Sequence, residues 1–225
     1  MKSIFIIAGG DFDKDFATDF IKKNLGQGKP FIIACDKGFE HVRSIGLVPD
    51  ITIGDFDSIS KDAFVEIEKS GTEIIRLNPI KDDTDTEAAL RLAAERGTNL
   101  DEIYILGATG KRLDHFLGNI SLLGLGLKLD RQVTLVDSYN YIRMIEAGWT
   151  LEIEKSGDFG QFGKYVSVFP YGGKAYGVDM TGFKYNLSDA TLEGFNTLTV
   201  SNEITEDYAY ITLKEGYLIV CESRD

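Results

Sequence analysis

Aspartates are grouped along this chain closely enough to suggest metal-assisted chemistry on an anion. The first group is Asp55-Phe56-Asp57, in which two carboxylates stand one residue apart. The second is Lys81-Asp82-Asp83-Thr84-Asp85, in which three acids crowd beside one lysine. Magnesium prefers oxygen ligands and is usually held by one or two carboxylates together with water and substrate phosphates. Crowded carboxylates repel one another in the absence of a cation, so the second group indicates a site more strongly than the first.

Each acidic group also has a purely structural interpretation. An Asp-x-Asp pair can form a turn in which the first side chain accepts a backbone hydrogen bond and the second is solvated. Acids beside a helix start can satisfy its free N–H groups and complement the helix dipole. Either group therefore indicates binding only if other ligand-binding groups lie near it in the fold.

A third segment carries groups that can bind phosphate. It is Gly107-Ala108-Thr109-Gly110-Lys111-Arg112-Leu113-Asp114-His115, which follows an apolar run and opens a helical pattern. Glycines let backbone N–H groups approach a phosphate, a helix N-terminus favours an anion, and Arg112 can bind one through two parallel hydrogen bonds. The spacing is neither that of a P-loop nor that of a dinucleotide fingerprint. His115 by itself is more typical of an ordinary helix residue than of a catalyst.

These groups follow short apolar runs that predict buried strands, and helical patterns separate the runs. The predicted strands are Ser3–Ala8, Pro30–Cys35, Asp50–Ile53, Glu73–Leu77, Glu102–Leu106 and Gln132–Val136. The predicted helices are Asp15–Leu25, Phe39–Ile45, Lys61–Lys69, Thr86–Arg96 and Asp114–Leu127. Thr84 and Glu87 fit a capping box at the fourth helix, with Thr84 as N-cap and the Glu87 side chain reaching back.

The alternation of strands and helices predicts an α/β domain over residues 1–137, with a doubly wound, mainly parallel sheet buried on both faces. Ligands bind such a sheet beyond the carboxyl ends of its strands. Asp36-Lys37-Gly38 and the three groups above all follow predicted strands. We therefore expect them to converge on one crevice.

The sequence changes character from about Ser138. Aromatic and β-branched runs such as Tyr165–Phe169 and Tyr208–Leu213 alternate with turn residues, and long helical periodicity disappears. Short strands at regular turn spacing predict an all-β sandwich over residues 138–225.

The formal net charge of -12 argues against nonspecific binding to nucleic acid or to an anionic membrane, because both need a positive field. An acidic protein can still bind a phosphate ligand that arrives with magnesium. The two cysteines, Cys35 and Cys221, lie in apolar runs and are interpreted as reduced core residues. No stretch approaches the roughly 18 apolar residues of a membrane span, and we expect a cytoplasmic location.

Taken together, these residues give the chain a close resemblance to the thiamine pyrophosphokinase family. The segments similar to the family's motifs occur in the same order and cover nearly the whole chain. They are Asp36–Gly38, Gly46–Asp50, Gly54–Ser58, Lys81–Asp85, Gly110–His115 with Asn119, Gly182–Tyr185 and Ser201–Glu203. Two positions depart from the family pattern: Lys111 stands where a second glycine is common, and Cys35 replaces a common alanine.

The resemblance implies transfer of pyrophosphate from ATP to thiamine, with AMP as the second product. It implies catalytic roles for Asp55, Asp57, Asp82, Asp85 and Asp114, and the first four are expected to hold Mg²⁺. Asp114 could instead accept the hydroxyl proton, and the sequence leaves that choice open.

The resemblance also implies the binding residues and the assembly. The residues expected to bind ATP are Asp36, Lys81, Thr84, Thr109, Arg112 and His115, of which Lys81 and Arg112 would hold the triphosphate. Ser201 and Asn202 are expected to contact thiamine. The family resemblance further implies a homodimer in which the α/β domain of one subunit and the β domain of the other form the site.

Two other functions fit parts of the pattern. A nucleotide-sugar transferase could use Asp55-Phe56-Asp57 to hold a diphosphate, without Lys81 and Arg112 arranged for a triphosphate. A protein that binds thiamine or nucleotide without turnover could use the aspartates only as helix caps. Such a binding protein has no reason to keep so many mutually repelling carboxylates.

Overall fold

The structure is a computed structural model that describes residues 3–25, 28–57, 59–80, 83–98, 101–110, 112–157 and 160–225. The chain divides into two compact units between Ser138 and Tyr139. The first unit alternates strands with helices around a parallel sheet, and the elements described in the second unit are all strands. The expected mixed α/β class with a β-rich C-terminal part is confirmed. None of the helices in the described segments is long and apolar enough to cross a membrane.

In the part of the first unit that the structure describes, there are six parallel strands, each within one residue of its predicted bounds. They are β1 (Ser3–Ile7), β2 (Phe31–Cys35), β3 (Ile51–Gly54), β4 (Glu73–Arg76), β5 (Glu102–Leu106) and β6 (Val133–Val136). Their order is β4-β3-β2-β1-β5-β6. The chain thus extends the sheet to one side of β1 and then to the other, so the strand order reverses between β1 and β5. Ligands bind open α/β sheets at such a reversal, beyond the carboxyl ends of the strands.

Among the described residues, five helices lie between these strands: α1 (Lys14–Lys23), α2 (Gly38–Ser44), α3 (Lys61–Lys69), α4 (Asp85–Arg96) and α5 (Leu113–Lys128). The side chains of Asp13, Ser60 and Thr84 cap α1, α3 and α4 by accepting backbone N–H groups. The predicted N-cap at Thr84 is confirmed, since its Oγ1 accepts the Glu87 N–H at 3.2 Å. The Glu87 side chain, which was expected to reach back to the cap, accepts two hydrogen bonds from Arg91.

The prediction that every strand is buried on both faces is wrong for β4. The strand β1 is buried at every position, whereas Glu73, Ile74 and Arg76 of β4 are exposed. Among the described strands of the first unit, β4 ends the sheet beside β3. An edge strand has a neighbour on one side only, and charged residues on it hinder pairing with another chain.

The second unit contains antiparallel strands only, within the segments 139–157 and 160–225. They are β7 (Asn140–Glu146), β8 (Thr150–Glu154), β9 (Tyr165–Thr181), β10 (Leu187–Leu192), β11 (Asn202–Glu203), β12 (Tyr208–Thr212) and β13 (Glu215–Ser223). The strand β13 lies between β7 and β9 and pairs with both. The first half of β9 also pairs with β11, and its second half pairs with β10 and β12.

An apolar core connects the two halves of β9 within the second unit. Buried side chains of both halves meet those of β12 and β13; they include Val166, Val168, Val178, Met180, Ile211, Leu218 and Val220. The carboxylate of Glu222, 2% exposed, accepts the Phe162 N–H at 2.8 Å and pairs with Arg143. A buried carboxylate needs such partners to offset its desolvation.

Candidate functional site

A cleft of about 950 Å³ opens in the first unit where β1, β2, β3 and β5 end. Many of the predicted site residues line it; they are Asp36, Asp55, Thr84, Asp85, Thr109, Arg112, Asp114 and His115. The structure therefore brings together groups that are as far as 79 positions apart in the sequence (36 to 115). The predicted residues Lys81 and Asp82, and Lys111 of the third segment, lie outside the described residues.

Glycines form part of the cleft wall, including two that the sequence reasoning did not use. Gly9 and Gly10 follow β1 after one residue, Ala8, and line the cleft. A side chain on Gly10 would put its Cβ 2.4 Å from the Gly107 carbonyl oxygen, so the two backbones approach too closely for any other residue. The available signal was a glycine pair at the carboxyl end of the first strand.

The loop that carries Gly10 is held from the side by His41. The Gly10 carbonyl oxygen lies 3.0 Å from His41 Nε2 and can only accept, so Nε2 carries the proton. Burial lowers the pKa of His41, which favours the neutral ring. The ring also stacks on Phe12 with centroids 4.7 Å apart. His41 thereby fixes the loop beside β1 without adding a charge to it.

Three carboxylates meet at the ends of β2 and β3. Oxygens of Asp36, Asp55 and Asp57 lie within 4.8 Å of one another. The Asp57 N–H donates to Asp55 Oδ1 at 3.0 Å, so the turn considered as the structural alternative is present together with the cluster. Asp36, which was predicted to bind ATP, belongs to this cluster. Asp85, predicted to hold metal, lies beside Asp36 and interacts with it.

The sequence between Gly54 and Asp57 folds locally to let these acids meet. A Cβ on Gly54 would lie 1.9 Å from Asp36 Oδ1, so only glycine leaves room for the Asp36 carboxylate. Phe56 has a left-handed backbone with φ of 63°, and its N–H donates to Asp36 Oδ1 at 3.2 Å. Asp36 itself has φ of 46°. These contacts connect positions nearly 20 residues apart, which local sequence patterns do not reveal.

Burial raises the pKa of the Asp36 carboxyl to about 6, and the carboxylates of Asp85 and Asp55 add to the rise. The Phe56 N–H opposes it. A raised pKa means that the folded protein resists ionisation of this group more than the unfolded chain does. Near neutral pH the cluster therefore holds excess negative charge that a cation would relieve.

Asp36→Asn should make the metal-free protein more stable at pH 7.5. The Asp36 carboxyl is protonated in both states only well below its ordinary pKa of 3.8. Wild-type stability falls as pH rises from about 4 to 6, because over that range the folded state keeps a proton that the unfolded chain has released. We expect the variant to gain on the order of 2 kcal/mol at pH 7.5 and only a small part of that at pH 4. Thermal melts in EDTA at both values measure this, with the exposed-surface variant Asp19→Asn as control. A gain that is equal at both pH values would contradict the assignment.

Arg112 and Asp114 form a two-point ion pair at the start of α5. Arg112 Nε donates to Asp114 Oδ1 at 3.2 Å and Nη2 donates to Oδ2 at 2.5 Å. The hydrogen bonds from Arg112 lower the pKa of Asp114 to about 2. Both side chains are exposed at the cleft, as is His115. Asn119 braces the same loop by donating to the Ala108 carbonyl at 2.8 Å.

The two residues predicted in the second unit differ in accessibility. Ser201 is exposed, has φ of 57°, and donates its N–H to Ser167 Oγ at 2.9 Å. Asn202 is 4% exposed. Its amide oxygen accepts the N–H groups of Tyr185 and Glu203 at 3.1 and 3.0 Å, and its amide nitrogen donates to the Tyr185 carbonyl at 2.8 Å. Asn202 therefore fixes the backbone of Tyr185, a residue that is 64% exposed.

Both units of the chain match known protein families. Residues 22–135 match the family model described as thiamin pyrophosphokinase, catalytic domain. Residues 149–218 match the model described as thiamin pyrophosphokinase, vitamin B1 binding domain. The two matched regions fall in the two structural units, in the order of the chain.

Individual relatives agree with these matches. A thiamine pyrophosphokinase of Bacillus subtilis (strain 168) is 34% identical over 225 residues, covering 100% of both chains. The crystal structure of thiamine pyrophosphokinase from Bacillus subtilis has a TM-score of 0.86 at 33% identity, covering 100% of both chains. That of thiamin pyrophosphokinase from Geobacillus thermodenitrificans has a TM-score of 0.83 at 29% identity, covering 99% of this chain and 98% of that one.

Proposed function

The chain belongs to the thiamine pyrophosphokinase family, and from that premise we propose that it transfers the pyrophosphoryl group of ATP to the hydroxyl of thiamine. It is an enzyme, a diphosphotransferase. The products are thiamine diphosphate and AMP. The observation that carries the proposal is that a catalytic-domain match and a vitamin B1 binding-domain match follow one another along the chain.

Magnesium is the cofactor that we propose for the acidic cluster. Three carboxylates with oxygens within 4.8 Å of one another suit a hard cation that prefers oxygen ligands. Asp36, Asp55 and Asp57 would hold it, with Asp85 close by. Asp82 keeps the same predicted role but lies outside the described residues. When bound, the ion neutralises charge on the triphosphate.

Catalysis of this transfer depends on positioning the two substrates more than on covalent participation of the protein. The thiamine hydroxyl oxygen forms a bond to the β-phosphorus, and the bond from that phosphorus to the oxygen shared with the α-phosphate breaks. AMP leaves with that oxygen, and the hydroxyl proton is released. In this proposal, backbone at Gly9–Gly10 and Gly107–Gly110 lets the triphosphate approach closely, and Thr84, Thr109, Arg112 and His115 bind around it.

We assign Asp114 to the orientation of Arg112 rather than to proton transfer. A group with its pKa lowered to about 2 is a poor acceptor for a hydroxyl proton near neutral pH. Its carboxylate already receives two hydrogen bonds from the Arg112 guanidinium. Such a pair fixes the orientation of the planar Arg112 guanidinium group, and a guanidinium held in one orientation suits binding to a phosphate.

In the second unit we propose that thiamine contacts Ser201 directly and depends on Asn202 through the backbone of Tyr185. Asn202→Ala should raise the Michaelis constant for thiamine about tenfold and leave that for ATP nearly unchanged, because a buried amide that fixes one loop is lost. Steady-state kinetics with each substrate varied in turn measures this. Asn196→Ala removes an exposed asparagine of the same unit and serves as control. A larger effect on ATP would contradict the assignment of this unit to thiamine.

We interpret the first unit as doubly wound, since its strand order reverses between β1 and β5. We interpret the second as a sandwich, since the halves of β9 pair with different strands around one core. A homodimer, which light scattering would detect, and a cytoplasmic location stay predictions from the sequence.

Incubating the full chain with ATP, Mg²⁺ and thiamine tests the function directly. We expect AMP and thiamine diphosphate in equal amounts, and neither product when EDTA is present. ADP or free phosphate in place of AMP would contradict the proposed bond cleavage. That result would favour the function of a different nucleotide-dependent transferase. Binding of thiamine without nucleotide consumption would favour the non-catalytic alternative.

A further inference from the structure

Phe56 occupies a backbone conformation that a phenylalanine rarely adopts. Its φ of 63° lies in the left-handed region, where glycine, asparagine and aspartate are the usual residues. It lies between Asp55 and Asp57, the two acids that follow the end of β3. A bulky residue persists in this region only when its surroundings determine its conformation. The contacts of Phe56 therefore bear on the geometry of the acidic cluster.

The ring of Phe56 is anchored by residues that are not acids. Phe56 as a residue is 9% exposed, and its ring lies edge-on to that of Phe64 of α3, with centroids 5.3 Å apart. The Arg76 guanidinium lies over both rings, 5.6 Å from the centroid of Phe56 and 5.0 Å from that of Phe64. A cation over an aromatic face is attracted by the negative potential of the ring.

The register of the sheet explains why Arg76 reaches this place. Arg76 is paired with Gly54 across β3 and β4, and the following Leu77 N–H donates to the Gly54 carbonyl at 2.8 Å. Arg76 therefore lies directly beside Gly54, the residue that precedes Asp55. It is exposed on an edge strand, so the apolar core does not require its side chain there.

We propose that Phe56 and Arg76 are positioning residues for the metal site. With its ring held by Phe64 and Arg76, the left-handed Phe56 directs its N–H to Asp36 and keeps Asp55 and Asp57 on the same side as Asp36. The inference rests on the proposed role of the acidic cluster in binding Mg²⁺. It adds that metal affinity depends on a cation and an aromatic ring that do not touch the ion.

Mn²⁺ binding to the full chain without substrates, followed by electron paramagnetic resonance, tests this apart from activity. Phe56→Gly tolerates the left-handed backbone but removes the ring, and we expect the Mn²⁺ dissociation constant to rise about tenfold. Arg76→Met keeps the length of the side chain but removes the cation, and about a threefold rise is expected. Arg76→Lys should recover most of that loss.

A matched control separates positioning from general damage. Arg96→Met removes another exposed arginine of the first unit, one that pairs with Glu73 of the same edge strand, and should leave Mn²⁺ binding unchanged. In kinetics, Phe56→Gly and Arg76→Met should raise the Mg²⁺ concentration for half-maximal rate more than they lower the rate at saturating Mg²⁺. A merely structural role would lower the rate without this split.

Asp55→Asn distinguishes failure of this inference from failure of the metal assignment. If Asp55→Asn loses Mn²⁺ while Phe56→Gly and Arg76→Met bind it like wild type, the positioning role is wrong. If Asp55→Asn also binds like wild type, the acidic cluster is not the metal site and the inference fails with it. If circular dichroism shows that Phe56→Gly does not fold, the Mn²⁺ dissociation constants of Arg76→Met and Arg76→Lys are compared instead. Equal constants for these two variants would contradict the positioning role.

Discussion

Asp55→Asn is expected to lower turnover about a thousandfold while the protein stays folded, a loss of the size found when one strong charged contact to a transferring phosphoryl group is removed. The asparagine oxygen can still accept the Asp57 N–H that Asp55 Oδ1 accepts at 3.0 Å, so the turn should survive. The substitution removes the negative charge of the side chain.

Single-turnover production of AMP, together with a thermal melt, measures both parts of this expectation. Asp19→Asn, on the exposed face of α1, removes the same charge from the surface and should keep full activity. A folded Asp55→Asn protein with activity near that of wild type would refute the placement of the metal. An inactive protein that has also lost its melting transition would show only that the residue supports the fold.

Gly54→Ala should have the second largest effect, although it adds only one methyl group. The new Cβ would lie 1.9 Å from Asp36 Oδ1 and 2.8 Å from its Cγ, so the carboxylate must move. We expect the free energy of unfolding to fall by about 2 kcal/mol, as overpacking usually costs. Displacing one member of the acidic cluster should lower turnover about a hundredfold, the loss that a misplacement of roughly 1 Å can cause.

Two further variants make the Gly54 prediction specific. Gly194→Ala places a Cβ where no atom lies within 4 Å and should change neither stability nor rate. In Gly54→Ala combined with Asp36→Gly the collision is gone, so the melting temperature should recover while activity does not. If the double variant is no more stable than Gly54→Ala alone, the clash with Asp36 is not the cause.

The elements of the first unit were predictable because their signals are local. Apolar runs such as Ile103–Leu106 mark strands between polar connections, and Thr84 marks a helix start by its own hydrogen bond. Exposure of β4 was not predictable from Glu73–Arg76 itself, because an edge position depends on which strands pair, and pairing is decided by the whole chain.

The candidate site was predictable as a set of segments but not as a set of contacts. That Asp36 and Asp55 stand at strand ends follows from the strand pattern, and the carboxyl ends of parallel strands meet. That Gly54 must lack a side chain because the Asp36 carboxylate fills its space depends on two segments that touch only in the folded chain. The same holds for Arg76 over Phe56, and for the hydrogen bonds that use the Asn202 amide inside the second unit.

The place of β13 has a consequence for how the protein is made. Residues 215–223 lie between β7 and β9, so two strands made earlier acquire a common neighbour only when this segment is available. On a translating ribosome the first unit can fold as soon as residue 138 has emerged, since all of its strands precede that point. The second unit cannot complete its strand pairing until β13 has emerged, and until then β7 and β9 are unpaired along the edges that β13 will cover. Unfinished chains thus expose two open strand edges, and a chaperone has more reason to protect the second unit than the first.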